Sequence, residues 1–406
     1  MNKMKKLFIL ILVSLLINMT SILGNENTKE YTLDNGLKVF LIIDPTASLI
    51  SVRTYVRAGS ILENNLFGSG ASHYLEHIVA GGSTEQRSEE EYKNKVSLLG
   101  GAFNAYTTLD HTSYYFNTVP NYSKEAITLL YEWMFFCEFK ETEFNRERNV
   151  IIKEIEKNNA NINRVFYYLC QNNLYKYHPI RYPVIGYLEN FKSLSKKDLT
   201  TYYKEKYVPA NMALVIGGNI DEKEILKHIK ETFGTIPNFA PSEQIIFNEP
   251  PPFSPMYIEK EGETNTTYFS IRFSTTDIFS KDLYPLDLLE FILGNGEESI
   301  LYKKLVDEKK LAYSVSCASY TPSETTGYFD ITFEIDHKNK EVIAEEIIKI
   351  INNIKKGNLE ENFISRAKKQ KLSEDIFSIN TIEDKVSRVG QSYICTNTKD
   401  FYSHYI

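Results

Sequence analysis

The chain has 406 residues, of which 42% are apolar and 24% charged, enough for two domains with cores of their own. The net charge is −7 and no long basic run occurs, which excludes the electrostatic footprint of a nucleic-acid binder. The four cysteines (Cys137, Cys170, Cys317, Cys395) are far apart and form no C-x-x-C pair. They read as free thiols with no catalytic role rather than as a disulfide framework.

Residues 1–24 have the form of a signal peptide. Lys3, Lys5 and Lys6 precede a short apolar run from Leu7 to Ile17, and Gly24 is the last residue before cleavage. The run is too short for a comfortable membrane span. The expectation is an exported protein, periplasmic or secreted, with no stable span after cleavage. No cysteine near the cleavage point offers a lipid anchor.

Tyr31 to Ile43 reads as a hairpin turning at Asn35-Gly36, and Leu49 to Val56 as a further strand. Gly59 to Ser72 is a loop that leads into a helix capped by Ser69 or Ser72 and ended by Gly81-Gly82. That helix carries His73-Tyr74-Leu75-Glu76-His77, an H-x-x-E-H motif. One turn of helix puts both imidazoles on one face, and Glu76 leans over the same face. Two nitrogen ligands beside a base that can activate water is the donor pattern of an inverzincin zinc peptidase. Such a pentapeptide also arises by chance, so the third ligand matters.

Glu89 to Leu99 is predicted helical and closed by Gly100-Gly101. Strands follow at Asn104 to Thr108 and Thr112 to Val119, then helices at Ser123 to Cys137 and from Glu141 through Glu154. The best third ligand in this half is Glu154. Glu147 lies two turns before it on the same helix, placed to orient a ligand from behind. Spacing alone leaves open a solvated acidic face, since Glu141, Glu143 and Glu156 are close by. A short helix, Ser195 to Lys206, and a strand, Leu214 to Gly217, complete this half.

Gly234 to Pro255 contains Pro250-Pro251-Pro252 and reads as a linker. Beyond it come a strand (Thr266 to Phe273), helices near Leu283 to Leu293 and Ser299 to Lys309, and strands Ala312 to Tyr320 and Tyr328 to Ile335. Charged helices near Lys340 to Ile354 and Glu360 to Arg388 follow. The two halves repeat a similar order of elements, which predicts an α+β fold of two related units. The first spans residues 25–240 and is catalytic; the second spans 256–406. The second half has no H-x-x-E-H, so one metal site per chain is expected.

The motifs together resemble those of the pitrilysin–insulysin family of zinc metallopeptidases, which includes the mitochondrial processing peptidases. The family's H-x-x-E-H is followed by a segment like E-R-x-V-I-x-x-E, here Glu147 to Glu154. Leu33 to Leu37 resembles L-x-N-G-L, and Gly100-Gly101 with Asn104 to Thr107 resembles G-G-x-x-N-A-x-T. His178 to Gly186 resembles H-P-Y-x-x-P-x-x-G, and Tyr207 to Met212 resembles Y-x-P-x-N-M. The resemblance implies one zinc ion held by His73, His77 and Glu154, with Glu76 as general base and Glu147 behind the ligands. It implies that Asn104, Ala105 and Thr107 lie on an edge strand that pairs with an extended peptide.

Two departures stand out. The family's second half supplies an Arg and a Tyr to the oxyanion in a setting like L-R-E-K-x-G-L-x-Y. Here that stretch is Leu305 to Tyr313, with Tyr313 kept and Val306 at the Arg position. Lys309 or a partner chain is the available substitute. Relatives also continue beyond the segment like Tyr402 to Ile406, so the second half reads as truncated. The implied function is a zinc-dependent metalloendopeptidase acting on peptides or unfolded polypeptides. The alternative is a non-catalytic or partner-dependent subunit of that family, with a homodimer or a related chain completing the chamber.

Overall fold

The computed structural model describes residues 28–245 and 247–404. The signal-peptide expectation for residues 1–24 lies outside the described residues. Among the described residues, nine strands form two sheets. The first has the order β1 (Thr28–Thr32), β2 (Lys38–Ile43), β6 (Met212–Gly218), β3 (Ile50–Val56), β5 (Thr112–Thr118), β4 (Ala102–Thr107). Neighbours are antiparallel except for the parallel pair β2–β6. The second sheet has the order β7 (Thr267–Ser274), β9 (Tyr328–Ile335), β8 (Ala312–Tyr320), antiparallel throughout. The fold is mixed α+β, as expected from the alternation of elements.

Every residue of β3 and of β6 is buried, because the first sheet is covered on both faces. One face packs on α1 (Ala71–Val79), α2 (Glu89–Leu98), α3 (Ser123–Phe135) and α4 (Glu141–Asn159), with Leu75, Ile78, Trp133 and Ile151 among the buried side chains. The chain continues through α5 (Ile162–Leu174), α6 (Leu188–Ser193), α7 (Lys196–Lys206) and α8 (Glu222–Glu231). In the second half, α9 (Leu283–Leu293), a π-helical turn at Tyr302–Glu308 and α10 (Lys340–Lys355) pack on the second sheet, and α11 (Glu361–Phe377) packs on α9.

The second face of the first sheet is covered from far along the sequence. Sequence periodicity suggests one helix from Glu360 to Arg388, but the chain breaks after Phe377 and restarts as α12 (Ile382–Thr396). Thr381 and Asp384 form a capping box that starts the new helix. Val386, Val389 and Ile394 of α12 then bury against Phe40, Tyr55 and Val215. This explains a buried arginine in the centre of β3. Arg53 meets Glu383 at 3.2 Å, bonds the Ser387 hydroxyl, and lies 4.1 Å over the Tyr115 ring. Gly390 permits the close approach, since a Cβ there would stand 2.0 Å from the Tyr55 ring.

The halves are joined through α5, a helix not anticipated from sequence. Arg272 of β7 pairs with Asp330 of β9 at 3.0 Å and donates to the Gln171 side chain of α5 at 3.0 Å. The Tyr175 hydroxyl donates to Thr326 O at 2.9 Å. The Pro-containing connection is strapped down as well. The Glu249 carboxylate accepts from the backbone N–H groups of Lys176, Tyr177 and His178 at 2.8, 2.8 and 2.9 Å.

Candidate metal centre

Helix α1 has nine residues and two faces. Tyr74, Leu75, Ile78 and Val79 are buried in the core, while His73, Glu76 and His77 are partly exposed, and Glu76 and His77 line a cleft beside β4. Gly70 begins the helix in the left-handed conformation, at φ 73°, and no serine side chain caps it. Neither Ser69 nor Ser72 caps the helix, contrary to the sequence expectation. The Ser72 N–H instead donates at 2.8 Å to the carboxylate of Glu63, a residue 1% exposed. Burial pushes the Glu63 carboxyl up to about 8, against the lowering effect of the bonds from Ser72 and Gly70. The Ser72 hydroxyl meets the Tyr202 hydroxyl at 2.9 Å, and the Tyr74 hydroxyl donates to Phe144 O of α4 at 2.6 Å. These bonds fix α1 along its length and tie it to the helix bearing the two glutamates.

Helix α4 buries Phe144, Ile151 and Ile155, which turns Glu147 and Glu154 toward α1. His73, His77 and Glu154 then offer one donor atom each within 4.8 Å of one another. The His73 and His77 rings are 4.8 Å apart, and His73 Nε2 is 3.9 Å from Glu154 Oε2. Burial, with the neighbouring His77, pushes His73 down to about 3, so its imidazole is neutral near pH 7. The His73–Glu154 approach is therefore not an ion pair. A neutral ring nitrogen and a carboxylate are both ligands a cation placed between them would take.

His77 differs. Burial alone would lower its pKa, but a bond from Nδ1 to Glu147 Oε2 at 3.1 Å and the charges of Glu76, Glu147 and Glu154 raise it. That bond leaves Nε2 as the ring nitrogen available to a ligand. The bond from His77 holds Glu147 below its ordinary value, against the effect of burial. Arg146 Nε donates to the other Glu147 oxygen at 2.8 Å. Glu76 accepts from the Thr107 hydroxyl of β4 at 2.6 Å. Burial raises the Glu76 pKa, and the Thr107 bond opposes the rise. A cavity of about 290 Å³ opens beside Glu76, lined by His77, Phe103, Asn104, Arg146 and Glu147.

Two imidazoles and a carboxylate are a donor set suited to zinc, with room for a fourth ligand. The sequence reading named the three donors, Glu76, Glu147, Asn104 and Thr107, but not Glu63, Phe103, Arg146 or Tyr202. Glu63 sits in an Asn-containing loop with no motif to single it out, and only burial reveals it.

The remaining expected residues are placed differently. β4 is an edge strand, with Ala102 and Asn104 exposed along it. The Ala105 N–H already bonds the Asn104 side chain at 2.9 Å, so a peptide pairing there must displace that bond. Thr107 serves Glu76 rather than solvent. The structure does not bring Tyr313 to the cleft. It falls where the β8–β9 register slips between Ala312 and Ser314, and this bulge leaves it without a strand partner and 62% exposed. Val306 packs against the second core, and Lys309 is held by Glu346 at 2.5 Å. Neither stands as an oxyanion donor in this arrangement.

Comparison with known proteins gives the family. Residues 38–186 match the profile described as Insulinase (Peptidase family M16), and residues 193–371 match that described as Peptidase M16 inactive domain. The chain belongs to the insulinase, or M16, peptidase family. It is similar to the uncharacterized zinc protease YmxG of Bacillus subtilis, 26% identical over 90% of this chain and 87% of that one. It is also similar to the beta subunit of the mitochondrial-processing peptidase of Saccharomyces cerevisiae, 25% identical over 92% and 83%. A crystal structure of a protease from Helicobacter pylori superposes with a TM-score of 0.82 at 24% identity, over 93% of this chain and 91% of that one. One of an M16 inactive domain from Pseudomonas fluorescens superposes at 0.81 with 16% identity, over 93% and 90%. No helix among the described residues is long and apolar enough to cross a membrane.

Glu147→Ala removes the partner that orients His77. Zinc affinity, measured in competition with a chelator, should fall about 10- to 100-fold. Unchanged affinity would show that Glu147 does not support the ligand set.

Proposed function

We propose that the chain is a zinc-dependent endopeptidase acting on peptides or unfolded polypeptides, with one zinc held by His73, His77 and Glu154. The observation that carries this reading is the convergence of those three donors within 4.8 Å, beside the half-buried carboxylate of Glu76, which is not among them. Zinc bound there supplies a Lewis acid that polarises the scissile carbonyl and lowers the pKa of water. Glu76 takes a proton from the attacking water and passes it to the leaving amine. Its pKa, raised by burial, suits a group that must both accept and return a proton. Thr107 holds the carboxylate by one oxygen and leaves the other free to face substrate. The free edge of β4 offers backbone groups to an extended peptide, with the adjacent cavity receiving a side chain.

The second reading is a subunit that depends on a partner chain. It is favoured by Val306, whose apolar side chain belongs to the second core where the family carries an Arg, and by the exposed position of Tyr313. Under that reading an added chain bearing the missing cation restores cleavage. In either case export of the chain remains part of the proposal.

The direct test is Glu76→Gln. With zinc content unchanged, cleavage of an unstructured peptide library should fall by about 100- to 10,000-fold. Equal cleavage by variant and wild type would overturn the role of Glu76. Thr107→Val makes a separate pH prediction. The hydroxyl favours the ionised form of Glu76, so its loss raises the Glu76 pKa, and the base is protonated at a higher pH. The acidic limb of the kcat/KM profile should move to higher pH; an unmoved limb would show that Thr107 does not tune the base.

A further inference from the structure

A second group of donors lies at the far end of the β4–β5 hairpin. Asp110 and His111 occupy the turn between β4 and β5, and Cys395 lies in the last turn of α12. One donor atom from each comes within 4.8 Å of the others. His111 Nδ1 is 2.8 Å from Asp110 Oδ1, and the Cys395 thiol donates to Asp110 Oδ2 at 3.2 Å. His111 is 4% exposed, and its Nε2 has no hydrogen-bond partner among the described residues. Thr108 Oγ1, at 3.1 Å, shares Nδ1 with Asp110.

We propose that Asp110, His111 and Cys395 form a second site, for a thiophilic divalent cation of the zinc type. The donor set is the first argument. A thiolate, an imidazole and a carboxylate together suit zinc and disfavour magnesium or calcium, which take oxygen ligands. The spread of the donors is the second, since ligands at about 2.0–2.3 Å from one zinc ion fall within a few ångströms of each other. Charge is the third. Glu324, from the β8–β9 loop, stands near enough to Asp110 for their charges to oppose each other, a repulsion that adds to burial in raising the Glu324 pKa. Arg57 faces the group from β3's end, alongside the ring of His111 that already bonds Asp110. Its guanidinium is already engaged by Ile394 O, Tyr393 O and the Asn397 side chain. An added cation offsets Asp110 and the thiolate that forms on binding, with Arg57 left in place.

Binding breaks the Cys395 S–H bond and forms a sulfur–cation bond, with the proton released to solvent. Affinity therefore rises with pH. The consequence is positional. The turn continues the strand whose Thr107 holds Glu76, so a cation there fastens that strand to α12. The site is independent of the His73–His77–Glu154 centre and needs no activity for its detection.

Cobalt distinguishes the two. Co²⁺ bound by a thiolate gives an intense near-ultraviolet charge-transfer band, whereas a site of imidazole and carboxylate gives none. Titration of the reduced, metal-free full chain should produce that band, with a final intensity corresponding to one thiolate-bound cobalt per chain. Cys395→Ser should abolish it, and the double variant His73→Ala/His77→Ala should retain it. Wild-type protein without the band, or Cys395→Ser with it, overturns the proposal. His111→Asn provides a second variant should Cys395→Ser not fold, and a band of unchanged intensity and affinity in it also overturns the proposal. If the band appears but no further cobalt binds, the catalytic-centre reading fails while this one stands.

Discussion

A helix of nine residues does not hold itself together in water, because so few backbone bonds cannot offset the ordering of the chain. Everything at the candidate centre depends on how other elements grip α1. Its first turn is met by a buried carboxylate, that of Glu63, rather than by a serine of its own. Its middle is tied to α4 by the Tyr74 hydroxyl, and its apolar face is buried in the main core. The same packing that stabilises the helix sets the direction of His73, Glu76 and His77. Fold and site are therefore one problem here.

Burial then differentiates groups of the same type. His73 is kept neutral because little compensates its desolvation, while His77, with Glu147 against it, gains protons more readily than free imidazole. Among the carboxylates, Glu147 is held ionised by His77 and Arg146, whereas Glu76 is raised by burial. One acidic group is thus suited to fixing a ligand and another to moving a proton. The centre also lies next to a free sheet edge, where a peptide backbone finds unpaired groups.

Much of this was legible in the sequence. The strands of the first sheet follow from β-branched runs and turns such as Asn35-Gly36, and the spacing of His73, Glu76 and His77 sets their shared face. The pairing of Glu147 with Glu154 was readable as geometry, but choosing Glu154 over its acidic neighbours needed the family resemblance. What was not legible depends on distant contacts. Helix α5 does carry Ile162, Val165, Phe166 and Leu169 at helical spacing, but its place between the halves is fixed by Arg272 and Thr326 from the second half. The break between α11 and α12 falls in the uncharged stretch Ile376 to Ile382, and its direction is set by Val386 and Val389, which pack on a different sheet from the helix before them. Glu63 and the Asp110–His111–Cys395 group carry no local pattern at all. Tyr313 is the converse case, a motif match that a β-bulge turns out to solvent.

The central claim is that His73, His77 and Glu154 share one zinc ion. Zinc-edge anomalous diffraction from crystals of the full chain grown with zinc tests it most directly. The account predicts a peak in the α1–α4 cleft, bonded by one ring nitrogen from each histidine at about 2.0–2.1 Å and by the Glu154 carboxylate, with His77 Nδ1 still on Glu147. No peak in that cleft, or a peak there with His73 or Glu154 turned away from it, would contradict the account.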